Sequence, residues 1–344
     1  MKNLTLIKQH DTVLQLTWFI NNICTNHCDY CPTSLHNGTN HHYDWKHARS
    51  FLTRLMDRYK KINCIFLGGE PTVSPFLNEA IDMLHSRGHT MTLTSNGVRS
   101  VEYWKNIAPK VNSVSFSYHP AYGIEDFFEK VEVISKHTWN GVKVMFDSRH
   151  WDKAMEVYNQ CIKLPYLNVS AARILTEIAA IGYSWGAVGD VSTIGANYTA
   201  EQLAWLAATP NRPAAHSEKK IKKMYWGSAF YYDDGSFDQY GDANRLISAD
   251  KSFFKGWACS IGLESLFINW NGQVKKGNCR QPNTDLFHID NHYNHPLPTS
   301  GEICVMERCT CPTDVLVTKF PVNAKNVPKP YPVIPLTQNN NSLM

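Results

Sequence analysis

Three cysteines stand on one short segment, Cys24-Thr25-Asn26-His27-Cys28-Asp29-Tyr30-Cys31, with three residues and then two between them. Thiolates are soft, anionic ligands, and three on one loop can hold three metal positions. A structural zinc ordinarily closes four ligands, whereas an iron–sulfur cube held by three cysteines keeps one iron open to a substrate or cofactor. From these residues alone zinc, a redox thiol pair and such a cube all stay open. Five further cysteines, Cys259, Cys279, Cys304, Cys309 and Cys311, gather late in the chain. The remaining two, Cys64 and Cys161, continue apolar patterns and read as small buried hydrophobes. A disulfide scaffold belongs to short secreted chains. This chain of 344 residues opens on Met-Lys-Asn-Leu-Thr without the apolar stretch of a signal peptide, so a cytoplasmic, reducing location and a ligating or catalytic use of the thiols are expected.

Positioning such a loop needs a frame. Val13 to Ile20 reads as a strand that ends just before Cys24. Asp44 is placed to cap a helix whose apolar residues Trp45, Ala48, Leu52, Leu55 and Tyr59 recur at three and four. Strands are expected at Ile62 to Leu67, Met91 to Thr94, Val111 to Phe116, Val142 to Phe146 and Leu167 to Leu175. Helices alternate with them, marked by Leu77, Ala80, Ile81 and Leu84 with Gly88 as stop, by Phe127, Val131 and Ile134, and by Trp151, Ala154, Tyr158 and Cys161. About six β/α units of this length imply a parallel sheet, because parallel neighbours need a crossover and a helix supplies it. The expected fold class is α/β, a partial (β/α)6 TIM-like barrel with a smaller β-hairpin and helix region behind it. Ligands of such sheets lie at the carboxyl ends of the strands.

Length, at roughly 150 residues per domain, allows one large unit and a smaller one. The expected division is a barrel over 1–180, a connection over 181–250, a cysteine-bearing region over 251–320 and a Pro/Asn-rich tail over 321–344. The connection includes the Gly/Ser-rich Gly182 to Asn197, a helix over Thr199 to Ala208 and a hairpin from Tyr225 to Tyr232 turning at Asp234-Gly235. A second hairpin, Leu266 to Trp270, turns at Asn271-Gly272. Lys+Arg 34 against Asp+Glu 30 leaves +4, too weak a charge to argue for nucleic acid or an acidic membrane surface. No run of about 18 apolar residues is present, so no membrane span is expected.

The loop resembles the signature of the radical S-adenosylmethionine (SAM) superfamily, CxxxCxxC with an aromatic residue before the third cysteine, a place held by Tyr30. A second mark of that superfamily, a GGE-type turn after the second strand, is matched by Phe66-Leu67-Gly68-Gly69-Glu70-Pro71. Glycines there let backbone approach a ligand without a Cβ, and a carboxylate beside them can accept from an ammonium. The resemblance implies that Cys24, Cys28 and Cys31 ligate a [4Fe-4S] cluster whose fourth iron is chelated by SAM. It further implies that Gly68 and Gly69 lie at the SAM site, that Glu70 holds the SAM ammonium, that Tyr30 lies against the adenine, and that one electron breaks the sulfonium bond to give a 5′-deoxyadenosyl radical. Polar residues at other strand ends, Ser95, Asn96, Ser117 and Asp147, are the candidates for the rest of SAM. Each is equally a turn former. Arg149 and Arg173 stand at similar places, and His119 can face a substrate or serve as a structural histidine.

The late cysteines are similar to a Twitch or abbreviated SPASM extension, with Gly272 as the hairpin glycine, which implies an auxiliary [4Fe-4S] cluster on Cys259, Cys279, Cys309 and Cys311. Cys304 is left over, and four thiolates suit a structural zinc equally well. His288, His292 and His295 lie in a segment whose Asn, Asp and Pro content reads as a solvated connection rather than a metal site. The run Lys219, Lys220, Lys222 and Lys223 reads as a solvated helix face. The implied function is a radical SAM enzyme, of oxidoreductase or epimerase type, acting on a small polar molecule and fed by an electron donor such as flavodoxin or ferredoxin. Modification of a ribosomally made peptide is the alternative within that class, and a non-catalytic zinc-binding interaction protein the alternative outside it.

Overall fold

A computed structural model describes residues 2–10, 13–31, 33–36, 38, 43–174, 196–209, 227–249, 251–279, 281–282 and 284–322. Leu175, most of Gly182 to Asn197, the four-lysine run, Tyr225 and the tail beyond Val322 lie outside these residues.

Six strands alternate with five helices: β2 (Leu14–Phe19), α1 (Trp45–Arg58), β3 (Ile62–Leu67), α2 (Leu77–Ser86), β4 (Thr90–Ser95), α3 (Val101–Ile107), β5 (Ser113–Tyr118), α4 (Phe127–Ser135), β6 (Trp139–Phe146), α5 (Trp151–Cys161) and β7 (Asn168–Arg173). Each strand pairs in parallel with the next, so the sheet order follows the chain order from β2 to β7. The helices start where the sequence provides caps. The Asp44 carboxylate accepts from the Lys46 N–H at 2.9 Å and Ser100 caps α3. Gly88 closes the turn after α2 with a φ of 70°, a left-handed conformation that costs glycine little.

One face of the sheet carries the core. Leu16, Trp18, Phe66, Leu93, Phe116, Val142, Val144 and Phe146 pack against Phe51, Leu52, Ile81, Leu84, Trp104, Val131 and Ala154 of the helices. Side chains of this size each stabilise by about 1.5–3 kcal/mol when fully buried. Successive strand residues face opposite sides, so the other face bears the intervening residues, many of them Thr and Ser.

A second sheet was not foreseen. β1 (Leu4–Gln9) pairs antiparallel with β8 (Ser228–Tyr232), which continues to β9 (Phe237–Asp238). On its other side β1 meets β15 (Lys319–Pro321), then β10 (Trp257–Cys259) and β14 (Glu302–Ile303). The hairpin at Asn271-Gly272 forms as expected, from β11 (Ser265–Ile268) and β12 (Gln273–Lys275), with Gly272 at a φ of 83°. Its place is different from a detached small region: β11 pairs in parallel with β2, and β12 passes the sheet on to β13 (Asp285–His288). The barrel sheet therefore has nine strands, in the order β13-β12-β11-β2-β3-β4-β5-β6-β7. Three further helices, α6 (Ala200–Ala208), α7 (Ala243–Ser248) and α8 (Pro312–Val315), lie among the described residues. No described helix is long and apolar enough to cross a membrane.

The segment of the three late histidines is mostly exposed from Asn291 to Pro296, as its composition predicts, with His292 as the exception. Ile289 to Asn294 is a 3-10 helix against α1, where His292 is 1% exposed and packs on Phe51, with its carbonyl accepting from Arg54. His288 Nε2 bonds the Asn271 carbonyl at 2.9 Å and His295 stacks on Phe287, so the three rings serve three different contacts. The segment is polar by composition, but one isoleucine and one imidazole supply the buried side.

Candidate functional site

The cysteine loop leaves the carboxyl end of β2 and lies over the turn that follows β3. The backbone N–H of Gly69 donates to the Asn21 carbonyl at 3.1 Å and that of Glu70 to the Ile23 carbonyl at 2.6 Å. The Asn21 side chain returns a bond to the Glu70 carbonyl at 2.9 Å. This close passage explains both glycines. A Cβ on Gly68, whose φ is 145°, would stand 2.4 Å from the Asn21 oxygen, and one on Gly69 2.3 Å from the Ile23 oxygen and 2.4 Å from that of Leu35. Approach of backbone without a Cβ was expected, but what approaches is the chain's own cysteine loop.

Glu70 is 1% exposed. Its Oε1 accepts from the Thr72 N–H at 3.0 Å, the Thr72 hydroxyl at 2.5 Å and the Ser95 hydroxyl at 2.8 Å, and its Oε2 accepts from the Asn96 N–H at 2.6 Å. Burial pushes this carboxyl above its ordinary range and the four donors pull it back. The carboxylate thus ties the ends of β3 and β4 together, with Thr72 as a partner that the motif did not announce. Asn96 carries the tie onward, since its Nδ2 donates to Thr25 Oγ1 at 2.9 Å and faces Cys24 Sγ at 3.6 Å. Glycine turn, Glu70, Ser95, Asn96 and Cys24 form one connected group.

A second connection runs through β5. His119, just past its end, places Nδ1 2.6 Å from the Tyr30 hydroxyl and 3.4 Å from Cys28 Sγ, and its ring stacks on Tyr30. Burial lowers its pKa to about 4, so the imidazole is neutral. Of the two readings open for His119, the contacts are with the loop. A third connection comes from β6. Arg149 grips Asp29 of the loop with Nη1 at 2.7 Å and Nη2 at 2.9 Å, and Asp147 with Nε at 2.9 Å and Nη2 at 2.6 Å. Burial pushes the Asp147 carboxyl up, and the guanidinium and N–H of Arg149 outweigh it, leaving it below its ordinary value. Asp147 is an anchor for Arg149 here. Ser117 stands apart on the face of the sheet opposite the core, and Arg173 lies with its guanidinium 5.8 Å from the Tyr198 ring centre.

The three thiols lie on the segment that these connections hold. Burial raises all three, Cys28 up to about 11 and Cys31 up to about 12, and the repulsion of neighbouring thiolates adds to the rise at Cys28 and Cys31. Free thiolates are therefore disfavoured, whereas bonding to a cationic centre removes the penalty. The Asn26 N–H reaches Cys24 Sγ at 3.4 Å, so two loop thiols already have N–H groups or ring nitrogens turned to them. Three soft donors, two of them with polar partners at sulfur, fit an iron–sulfur cluster. Among the described residues no three His, Cys, Asp or Glu side chains converge as ligands of a single ion would.

The late cysteines gather between the second sheet and α8. Cys259 stands opposite Lys319 across the β10–β15 pair. Electrostatic coupling links Cys279 to Cys259 and Cys304, and Cys309 to Cys259 and Cys311. Cys304 is thus not set apart. Cys311 Sγ has Thr313 Oγ1 at 2.9 Å and Asn278 Nδ2 at 3.6 Å. Asp314, fully buried beside them, is pushed up to about 6 by burial, and its Oδ2 finds no hydrogen-bond partner. Lys319 is the residue sequence reading missed. It is 1% exposed, donates to the carbonyls of Asp314 and Val315, and lies over the Phe254 ring. A lysine in an apparently ordinary strand gives no signal until the register sets it against Cys259. An orphaned buried carboxylate oxygen beside five buried or half-buried thiols fits a bound cationic centre.

No curated protein matches the chain. Among solved structures, anSMEcpe with bound AdoMet and the Kp18Cys peptide is similar at 14% identity over 81% of this chain and 78% of its own, with a TM-score of 0.48. SuiB of Streptococcus suis bound to S-adenosylmethionine is similar at 15% identity over 83% of this chain and 66% of its own, also with a TM-score of 0.48. TYW1 with a lysine-pyruvate adduct covers 47% of this chain at a TM-score of 0.29. Residues 18–143, from within β2 to within β6, match the model described as Radical SAM superfamily.

Proposed function

We propose that this chain is a radical SAM enzyme that oxidises or epimerises a small polar substrate. The observation that carries the reading is the three-thiol loop at the carboxyl end of β2, joined through Asn96 and Glu70 to the glycine turn after β3. Cys24, Cys28 and Cys31 would hold a [4Fe-4S] cluster, and the turn of Gly68, Gly69 and Glu70 would contribute to holding SAM. When bound, the pair supplies an organic radical able to take hydrogen from an unactivated carbon. The protein's part is placement. Arg149 and Asp29 fix the loop, Tyr30 and His119 cover its Cys28 side, and Asn96 holds its Cys24 side. Ser95 and Asp147 act in this reading as supports for Glu70 and Arg149, and Ser117 is left for ligand.

The late group, Cys259, Cys279, Cys309 and Cys311 with Cys304 beside them, is assigned an auxiliary [4Fe-4S] cluster in the same reading. An external one-electron donor of the flavodoxin or ferredoxin type and a reducing, cytoplasmic location follow from that chemistry. The division into a barrel over 1–180, a connection, a late-cysteine region over 251–320 and a tail is retained as a proposal, with the qualification that β11 to β13 extend the barrel sheet.

The test is anaerobic purification with metal and sulfide analysis, followed by SAM and a strong reductant. About eight irons per chain and formation of 5′-deoxyadenosine are expected. The Cys24→Ala change abolishes that product, while Cys279→Ala spares uncoupled SAM cleavage. A colourless zinc protein that leaves SAM intact refutes the assignment.

A further inference from the structure

The turn after β5 bears on one sulfur of the cysteine loop. Tyr118 ends the strand inside the core, and Pro120 disfavours helical backbone at His119 between them. The His119 carbonyl then accepts from the Tyr122 N–H at 3.0 Å and the Gly123 N–H at 2.9 Å, with Gly123 at a φ of 71°. This closed turn delivers two side chains to the loop. The Tyr122 hydroxyl accepts from the His27 N–H at 3.1 Å, while His119 Nδ1 lies 2.6 Å from the Tyr30 hydroxyl and 3.4 Å from Cys28 Sγ. Tyr30 belongs to the loop itself, and its hydroxyl bonds Cys28 in the sense that favours the thiolate. Stacking of the two rings, with planes 21° apart, holds Tyr30 and His119 together.

A cysteine sulfur that binds a metal carries no proton, so it can only accept. The Tyr30 O–H can donate to it, and the tyrosine oxygen then accepts from His119 Nδ1–H across a short contact of 2.6 Å. In the order Nδ1–H, O–H, Sγ each donor meets an acceptor, and each bond polarises the next. We propose that Tyr30 and His119 form a donor relay onto Cys28 Sγ that sets how readily the cluster of the loop takes up an electron, with Tyr30 as the donor and His119 as its positioning residue. A donor at sulfur stabilises the more negative, reduced form and so raises the reduction potential. The electron comes from the external one-electron donor, and the uptake makes or breaks no bond and moves no proton. The relay rests on the radical SAM reading for the presence of the cluster. It goes beyond that reading, because the superfamily signature asks only for an aromatic ring at Tyr30, which phenylalanine would also supply, and does not include His119.

The test is an anaerobic redox titration of the full chain, read by the electron paramagnetic resonance signal of the reduced cluster. Its loss in Cys24→Ala identifies the signal of the loop. Tyr30→Phe keeps the ring and removes the donor, so the equilibrium constant for reduction should fall about tenfold, the worth of one hydrogen bond, which is about 59 mV for one electron. His119→Leu should lower the potential by less, since Tyr30 can still donate. His119→Asn, which keeps an N–H at the δ position, should restore most of that loss. Iron and sulfide contents should match wild type in all three variants. A potential that stays the same or rises in Tyr30→Phe overturns the relay, and so does a loss of iron without a shift in potential, which would make the pair a support of the loop alone. Iron and sulfide analysis of the wild type is read first: a loop that holds zinc or nothing refutes the radical SAM reading and the relay with it, whereas an iron–sulfur loop with one potential in every variant refutes the relay only.

Discussion

Glu70→Gln separates a clamp from a ligand contact. In the wild type Oε1 accepts three donors and Oε2 accepts the Asn96 N–H at 2.6 Å. A glutamine does least harm with its carbonyl oxygen on the three donors, and its amide nitrogen then faces the Asn96 N–H. Two donors cannot share that distance. The buried N–H loses its acceptor at about 1–3 kcal/mol, and the three remaining bonds lose the strength that a full charge lends them. A loss of about 3 kcal/mol is expected for the chain without any bound group, measured as the urea midpoint under reducing, anaerobic conditions at constant m. Ser95→Ala, which removes one donor of three from Oε1, should cost about 1 kcal/mol. Because Asn96 also faces Cys24, the Glu70 variant should hold iron less firmly even before SAM is added. If Glu70→Gln unfolds within about 0.5 kcal/mol of wild type and only its SAM affinity falls, the carboxylate's task is to meet SAM directly, and the clamp account is wrong.

Gly69→Ala should destabilise by more than about 2 kcal/mol and shift the cysteine loop, because two backbone oxygens stand within 2.4 Å of the new Cβ. Gly141→Ala, whose Cβ would meet nothing nearer than 3.7 Å, is the control and should stay within about 0.5 kcal/mol in the same unfolding assay. Glu264 predicts a pH effect. Burial pushes it up to about 7 from an ordinary 4.5, with one oxygen on the Thr318 N–H at 2.7 Å and the other without a partner. The folded chain then holds more protons than the unfolded chain between pH 4.5 and 7, so stability falls as pH rises through that window, by up to about 3 kcal/mol. Glu264→Gln should flatten the fall and be the more stable protein at pH 8; a parallel pH profile in both proteins rules the assignment out.

The barrel was legible because its signals are local. Apolar residues at three and four spacing, Asp44 before a helix and Gly88 after one each state their role within a turn of chain, and α5 spans Trp151–Cys161 where the pattern placed it. The second sheet was not legible, because β1, β8, β10 and β15 are short, come from both ends of the chain, and find each other only through long-range pairing. The same division runs through the site. CxxxCxxC and the glycine turn are spacings, and spacing survives in sequence. Their supports are distances: Arg149 lies 120 residues from Asp29, and His119 91 residues from Cys28. Even where the residue was singled out, as with Asp147, the partner decided its role, since a carboxylate gripped by its own Arg149 is an anchor for the loop.

The two thiol groups are made tolerable by different physics. At the loop, neutral groups turn to the sulfurs: the Asn26 N–H, the Asn96 amide and the His119 ring. In the late group a whole charge is brought in, since burial works against the Lys319 ammonium while Cys259, Cys309 and Asp314 favour it. A lysine is this deeply buried only where the charges around it repay its desolvation. A charge acts over a longer range than a hydrogen bond, and here it comes from the strand paired with that of Cys259. That strand is β15, which also pairs with β1 through Ile7 opposite Lys319. The first strand and the last described strand of the chain therefore hold the cation against Cys259, and the late thiols are completed by segments from both ends of the chain.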